Sequence, residues 1–143
     1  MFNSLVIEAN IIFASLIKQL DNFKLVFLLP EIGITLYSPQ FVYEEINKRE
    51  EKLLKYSKLS SSEFRFLINK FFKNVRVVPE IEYKSFLSEA KSIFSSHPKD
   101  APYFALSLKL KTPLWSNEKL HKRQSKVKVM STDEIIKLLQ FPL

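Results

Sequence analysis

Residues 5–12 read Leu5-Val6-Ile7-Glu8-Ala9-Asn10-Ile11-Ile12, three aliphatics that run straight into an acid and then into an apolar pattern of helical spacing. Residues 4–8 are expected to form a short buried strand. Residues 10–20 are expected to form a helix, with Ile11, Ile12, Leu16, Ile17 and Leu20 on its apolar stripe. The joint between them carries a charge. A strand end that faces solvent would account for it, but directly behind three aliphatics a charge is costly inside without a partner, which favours a functional role.

The same alternation continues outward. Residues 23–29 read as a short helix stopped by Pro30, and residues 33–37 as a second strand. Ser38-Pro39 looks like the start of a long helix to about residue 58. Ser60 and Glu63 head another helix to Lys73, with Phe64, Leu67, Ile68, Phe71 and Phe72 on one face. Residues 75–78 are β-branched and strand-like, and residues 80–95 place Tyr83, Phe86, Leu87, Ala90, Ile93 and Phe94 on one stripe. A helix over 100–110, strands over 112–115 and 127–130, and a helix over 132–140 complete the series. Repeated strand-then-helix units predict an α/β fold, a mainly parallel sheet of about five strands with helices on both faces, as one domain over residues 1–143.

Composition narrows the function. With 46% hydrophobic residues, 13 Phe and one Gly, the chain reads as a globular protein with a real core. It has no cysteine, which excludes disulfides, thiolate metal sites and cysteine nucleophiles. A single glycine excludes both a Walker A loop and a GxGxxG turn. His97 and His121 are isolated in sequence and read as lone surface histidines, outside any imidazole metal site or serine-type relay. The start lacks a basic n-region, and Glu8, Asn10 and Lys18 break the apolar stretch before it reaches membrane-span length, so the expectation is a soluble cytoplasmic protein with no membrane partner. A formal charge of +7 favours a polyanion such as nucleic acid, and is equally consistent with a solvated lysine-rich surface.

Carboxylates remain as the chemical engine. Glu8 closes the first strand, Glu45 lies in the helix after the second, Asp100 opens the helix 100–110, and Glu118 ends Leu114-Trp115-Ser116-Asn117-Glu118. In an open α/β sheet the strand ends form one crevice. Acids gathered there repel one another unless a hard cation such as Mg²⁺ or Mn²⁺ holds them together.

Four blocks carry a resemblance over nearly the whole chain: Leu5-Val6-Ile7-Glu8-Ala9-Asn10-Ile11, Tyr37-Ser38-Pro39-Gln40-Phe41-Val42-Tyr43-Glu44-Glu45-Ile46, Lys99-Asp100-Ala101-Pro102-Tyr103-Phe104-Ala105-Leu106, and Pro113-Leu114-Trp115-Ser116-Asn117-Glu118. In order and spacing the chain resembles the PIN-domain family. The resemblance implies a Rossmann-like α/β/α sandwich and a Mg²⁺- or Mn²⁺-dependent ribonuclease, as in the toxins of VapBC-type toxin–antitoxin pairs, with RNA as substrate and a cognate antitoxin protein as partner. It would make Glu8, Glu45, Asp100 and Glu118 the catalytic, metal-binding quartet, with Asn10 orienting Glu8 and with Ser116 and Asn117 hydrogen-bonded behind the ligands. The family usually has aspartate where this chain has Glu8 and Glu118. Each extra methylene lengthens the side chain by ~1.5 Å, a change that Mn²⁺ tolerates better than the strictly octahedral Mg²⁺.

Each position also has a structural reading. Glu45 sits among Glu44, Glu50, Glu51 and neighbouring Lys and Arg as one of a set of helical ion pairs. Asp100 before Ala101-Pro102 is an N-cap signature. Glu118 could cap, or pair with Lys119 or Lys122. Lys119, Lys122, Arg123 and Lys126 follow Glu118 closely enough to guide an RNA backbone, or to form an exposed loop with no partner. The aromatic helices are assigned to packing and to a homodimer interface. The alternative to a nuclease is a catalytically degenerate PIN-like module that binds RNA or a protein.

Overall fold

Val6 has a strand neighbour on each side, Tyr37 and Leu114, so the strand opened by the first apolar run is the middle of the sheet. The computed structural model describes residues 2–17, 20–95 and 97–140. Its five strands are β1 (Ser4–Ile7), β2 (Thr35–Pro39), β3 (Val75–Val78), β4 (Leu114–Trp115) and β5 (Val129–Met130), in the order β3-β2-β1-β4-β5. Every pairing is parallel. The helices between them are α1 (Ala9–Ile17), α2 (Leu20–Glu31), α3 (Phe41–Ser57), α4 (Ser61–Lys73), α5 (Glu80–Tyr83), α6 (Leu87–Ile93), α7 (Ala101–Leu110) and α8 (Thr132–Gln140). The result is the expected three-layer α/β/α sandwich. Leu5, Val6 and Ile7 have no exposed surface, as strands covered on both faces require.

Several boundaries differ from the sequence reading for local reasons. Pro30 does not stop α2. It falls in the last turn, and the helix closes one residue later. Gly33, at φ +89°, donates from its N–H to Pro30 O, while Ile34 N–H reaches Leu29 O, the double bond of a Schellman cap. Ser38 and Pro39 do not start α3 but end β2, where Pro39 stands opposite Val78 and past the last β1 pair. The stripe over 80–95 is not one helix: a 3₁₀ turn at Lys84–Phe86 separates α5 from α6. Of the first expected helix, positions 18 and 19 lie outside the described residues. Ser60 and Glu63 form the full capping box read from the sequence.

The core is aromatic. Trp115, Tyr83, Tyr103, Phe64, Phe71 and Phe104 are the largest fully buried side chains. Trp115 Nε1 donates to Thr132 Oγ1 at 3.0 Å, and that hydroxyl donates to Asn22 Oδ1 at 2.5 Å, so one buried hydroxyl ties β4 to both α8 and α2. No helix among the described residues is long and apolar enough to cross a membrane.

Candidate acidic site

The chain leaves β1 for β2 on one side and returns as β4 on the other, so the strand order switches direction between β1 and β4. Ligands of open parallel sheets bind outside the strand ends at such a point. Ile7 pairs with Trp115, and the next residue of each strand, Glu8 and Ser116, meets there: Ser116 Oγ donates to Glu8 Oε1 at 2.9 Å. Both residues are buried.

The group that joins them is His121, in the 3₁₀ turn Lys119–Arg123. Its side chain is 2% exposed, against the surface histidine expected from sequence. Nδ1 lies 2.8 Å from Ser116 Oγ and 3.5 Å from Glu8 Oε2, and Nε2 lies 3.0 Å from Asp100 Oδ2. Phe94 and Phe104 hold the ring by edge contacts at 5.5 and 5.2 Å. His121 thus bridges two acids that sequence places far from it. The sequence signal was hidden because a histidine on a short irregular turn shows no periodicity. His97 is half-buried and stacks on Phe94.

Burial drives the Glu8 carboxyl from 4.5 up to about 7, with smaller pushes from the charges of Asp100 and Glu45; His121 and the Ser116 hydrogen bond oppose the rise. Burial acts downward on His121, but the Asp100 hydrogen bond and the charges of Glu8, Asp100 and Glu118 outweigh it, so the imidazole holds its proton above the usual value. The geometry gives the reason. When the Ser116 hydroxyl donates to ionised Glu8, Nδ1 must donate to Ser116, and both ring nitrogens carry protons. Asp100, Ser116 and His121 are linked in the order of a serine relay, yet the Ser116 hydroxyl is 1% exposed and no substrate reaches it.

The other candidate residues separate into distinct roles. Glu45, half-buried on α3, accepts the Tyr103 hydroxyl at 2.5 Å, while Glu44 is exposed. Asp100 stands at the N-cap position of α7 but its side chain makes no cap bond, being turned to His121. Glu118 is exposed and caps its own turn, accepting from Leu120 N at 3.2 Å, while its backbone N–H donates to Ser116 Oγ. Asn10 is engaged by Arg49, accepting from its Nη1 at 3.4 Å. Asn117 is bonded to the backbone and hydroxyl of Thr132, fixing the start of α8. Lys119, Lys122, Arg123 and Lys126 are all exposed, with Lys122 paired to Glu134.

The oxygen-rich donors suit a hard cation. Their arrangement does not: the imidazole stands between Glu8 and Asp100, Glu118 is engaged by its own turn, and among the described residues no three His, Asp or Glu side chains are grouped to hold one ion. As folded, the quartet does not fit a divalent metal.

A PIN domain family model matches residues 6–138. No curated protein matches the chain. Among solved structures, a chain in the crystal structure of VapBC2 from Rickettsia felis bound to a DNA fragment from their promoter is similar, with a TM-score of 0.68 over 90% of this chain and 98% of that one. At 13% identity the likeness is one of fold.

Proposed function

The chain belongs to the PIN-domain family, and from that membership we propose that it is an endoribonuclease of the family, acting as a single domain over residues 1–143. What supports the reading is that Glu8, at the end of β1 where the strand order switches, lies close enough to Asp100 and Glu45 for their charges to push its carboxyl up, and that each of the three acids has its own hydrogen-bond partner. The reaction is hydrolysis of an RNA phosphodiester: a water oxygen joins phosphorus, the bond to the 3′ oxygen breaks, and a 5′-phosphate and a 3′-hydroxyl result. Asp100 and Glu45 are partly exposed and meet an entering strand first, and Glu8 is buried. Lys119, Arg123 and Lys126, exposed on the segment after β4, supply positive charge for the backbone. Mg²⁺ or Mn²⁺ enters this reading only through a rearranged pocket. A role as the toxin of a VapBC-type pair, cytoplasmic, held inactive by an antitoxin protein and assembled as a homodimer, is the wider proposal that the fold likeness supports.

The test is cleavage of a mixed RNA by purified wild type and Asp100→Asn, each supplied with Mg²⁺ or Mn²⁺. Cleavage that disappears in the variant supports the reading, and cleavage retained in a nuclease-free preparation overturns it. The second reading, a non-catalytic module, is favoured by the imidazole between the acids. It predicts RNA binding without divalent metal and no cleavage by either protein.

A further inference from the structure

We propose that His121 is a built-in plug of the acidic pocket: its ring takes the place between Glu8 and Asp100, so the chain as folded binds no divalent ion there and binds one when the ring is removed. The proposal rests on the acidic pocket of the nuclease reading and adds a residue that none of the four acidic positions suggests.

Three observations converge. First, the ring spans the gap between the acids. Nε2 is bonded to Asp100 at 3.0 Å, and Nδ1 faces Ser116 at 2.8 Å and Glu8 at 3.5 Å, so the ring occupies the space between two carboxylates that a shared ion would bridge. A Mg²⁺ ion requires oxygens at about 2.0 to 2.1 Å in octahedral array, and a ring hydrogen-bonded to Asp100 and 3.5 Å from Glu8 leaves no room for that shell. Second, the ring is fixed. It is buried, wedged edge-on against Phe94 and Phe104, and its turn is anchored where the Gln124 amide accepts from Val127 N and donates to the His121 and Val127 carbonyls, each at 2.8 Å. Third, the other acids are committed elsewhere: Glu45 to the Tyr103 hydroxyl and Glu118 to the Leu120 amide.

Plugging sets a cost on metal binding equal to the free energy of moving the ring out. If the ring-out state holds a tenth of the population or less, apparent metal affinity falls roughly tenfold or more relative to an unplugged pocket. Because Asp100 keeps both its charge and its exposed edge in that state, His121→Ala should gain metal binding rather than lose it.

The experiment is calorimetric titration of Mn²⁺ into wild type, His121→Ala and the double variant His121→Ala with Asp100→Asn. The expected result is binding by His121→Ala roughly tenfold or more tighter than by wild type, lost again in the double variant. Wild type binding Mn²⁺ as tightly as His121→Ala, or a folded His121→Ala that binds none, overturns the proposal. Should His121→Ala fail to fold, nitrogen NMR of the wild-type imidazole during Mg²⁺ titration decides the matter. Ring signals that stay in place with no Mg²⁺ bound, or that move only as Mg²⁺ binds, support the plug, and Mg²⁺ binding that leaves the ring signals unmoved overturns it. Neither measurement needs RNA. An unplugged, metal-loaded variant that cleaves nothing counts against the nuclease reading while leaving the plug standing.

Discussion

Nε2 of His121 lies 3.0 Å from Oδ2 of Asp100, and that one contact decides between two roles for the aspartate. At the head of α7 it was placed to cap a helix, yet its carboxylate makes no bond to the helix amides. The bond to a buried ring makes the pocket sensitive to protons.

Stability should fall as pH rises through neutrality. The folded chain holds a proton on Glu8 that the unfolded chain releases above 4.5, so folding gains its proton-linked advantage at the acid end and loses it on the way to about 7. His121, also raised, contributes fully below 6.5 and loses its contribution as pH passes through its higher folded value. The slopes have the same sign. Glu63 and Glu134, both lowered, act in the opposite sense but only as pH falls below 4.5. Melting temperature measured against pH should decline between 4.5 and 7 in wild type and flatten in Glu8→Gln; a rising wild-type curve there would contradict the assignment.

Tyr103→Phe tests how Glu45 is held. Burial, then the Glu45 charge, pushes the phenol far above its ordinary value, so Tyr103 remains an O–H donor throughout the working range. The variant keeps the buried ring and its edge contact with Phe41 but removes the bond to Glu45. Hydrogen bonds to charged groups contribute about 1.5 to 3 kcal/mol, and urea unfolding should lose an amount near the lower end. A loss indistinguishable from zero would mean that Glu45 is placed by α3 alone.

Thr132→Val keeps shape and removes the hydroxyl on which Trp115 and Asn117 both depend. Leaving the buried Trp115 donor without an acceptor costs ~1 to 3 kcal/mol, while the exposed Asn117 amide can turn to water. Destabilisation of about 2 kcal/mol or more, with a shift in tryptophan fluorescence, is expected. Because Trp115 is the chain's one tryptophan, the signal has a single source.

On the basic segment, Arg123→Ala should weaken RNA binding and flatten its salt dependence by about 0.7 in slope, the single-strand value for one lost phosphate contact. Lys122→Ala should do less, because Lys122 is paired with Glu134. Equal slope changes in filter binding at several salt concentrations would show that the ion pair does not divert Lys122.

The layers and sheet were legible because Leu5-Val6-Ile7 and its counterparts bury strands on both faces, a pattern that survives without tertiary information. The capping box at Ser60 and Glu63 was legible for the same reason, being local. Helix breaks were not: the 3₁₀ turn at Lys84–Phe86 leaves an apolar stripe unchanged. In the site, Ser116 was read as a hydrogen-bonding neighbour of the acids but its pairing with Glu8 shows only in the strand register, and Asn10 and Asn117 turn to Arg49 and Thr132, partners supplied by other elements. His121 was misread because its neighbours, Asp100, Phe94 and Phe104, come from elements that sequence does not place beside it.

The sheet is lopsided. β2 shares three register pairs with β1 and four with β3, whereas β4 has two with each neighbour. Ser116, Glu118 and His121 all ride on the thin panel, which side chains tie to the rest through Trp115, Thr132 and Asn22, through Ser116 and Glu8, and through His121 and Asp100. Local fluctuations draw on the weakest cooperative unit, so amide protons at 114–116 and 129–130 should exchange ahead of those at 5–7 and 36–38. The seam between β1 and β4 is then where breathing begins, beside the pocket and not in the more extensively paired β1–β2–β3 half of the sheet.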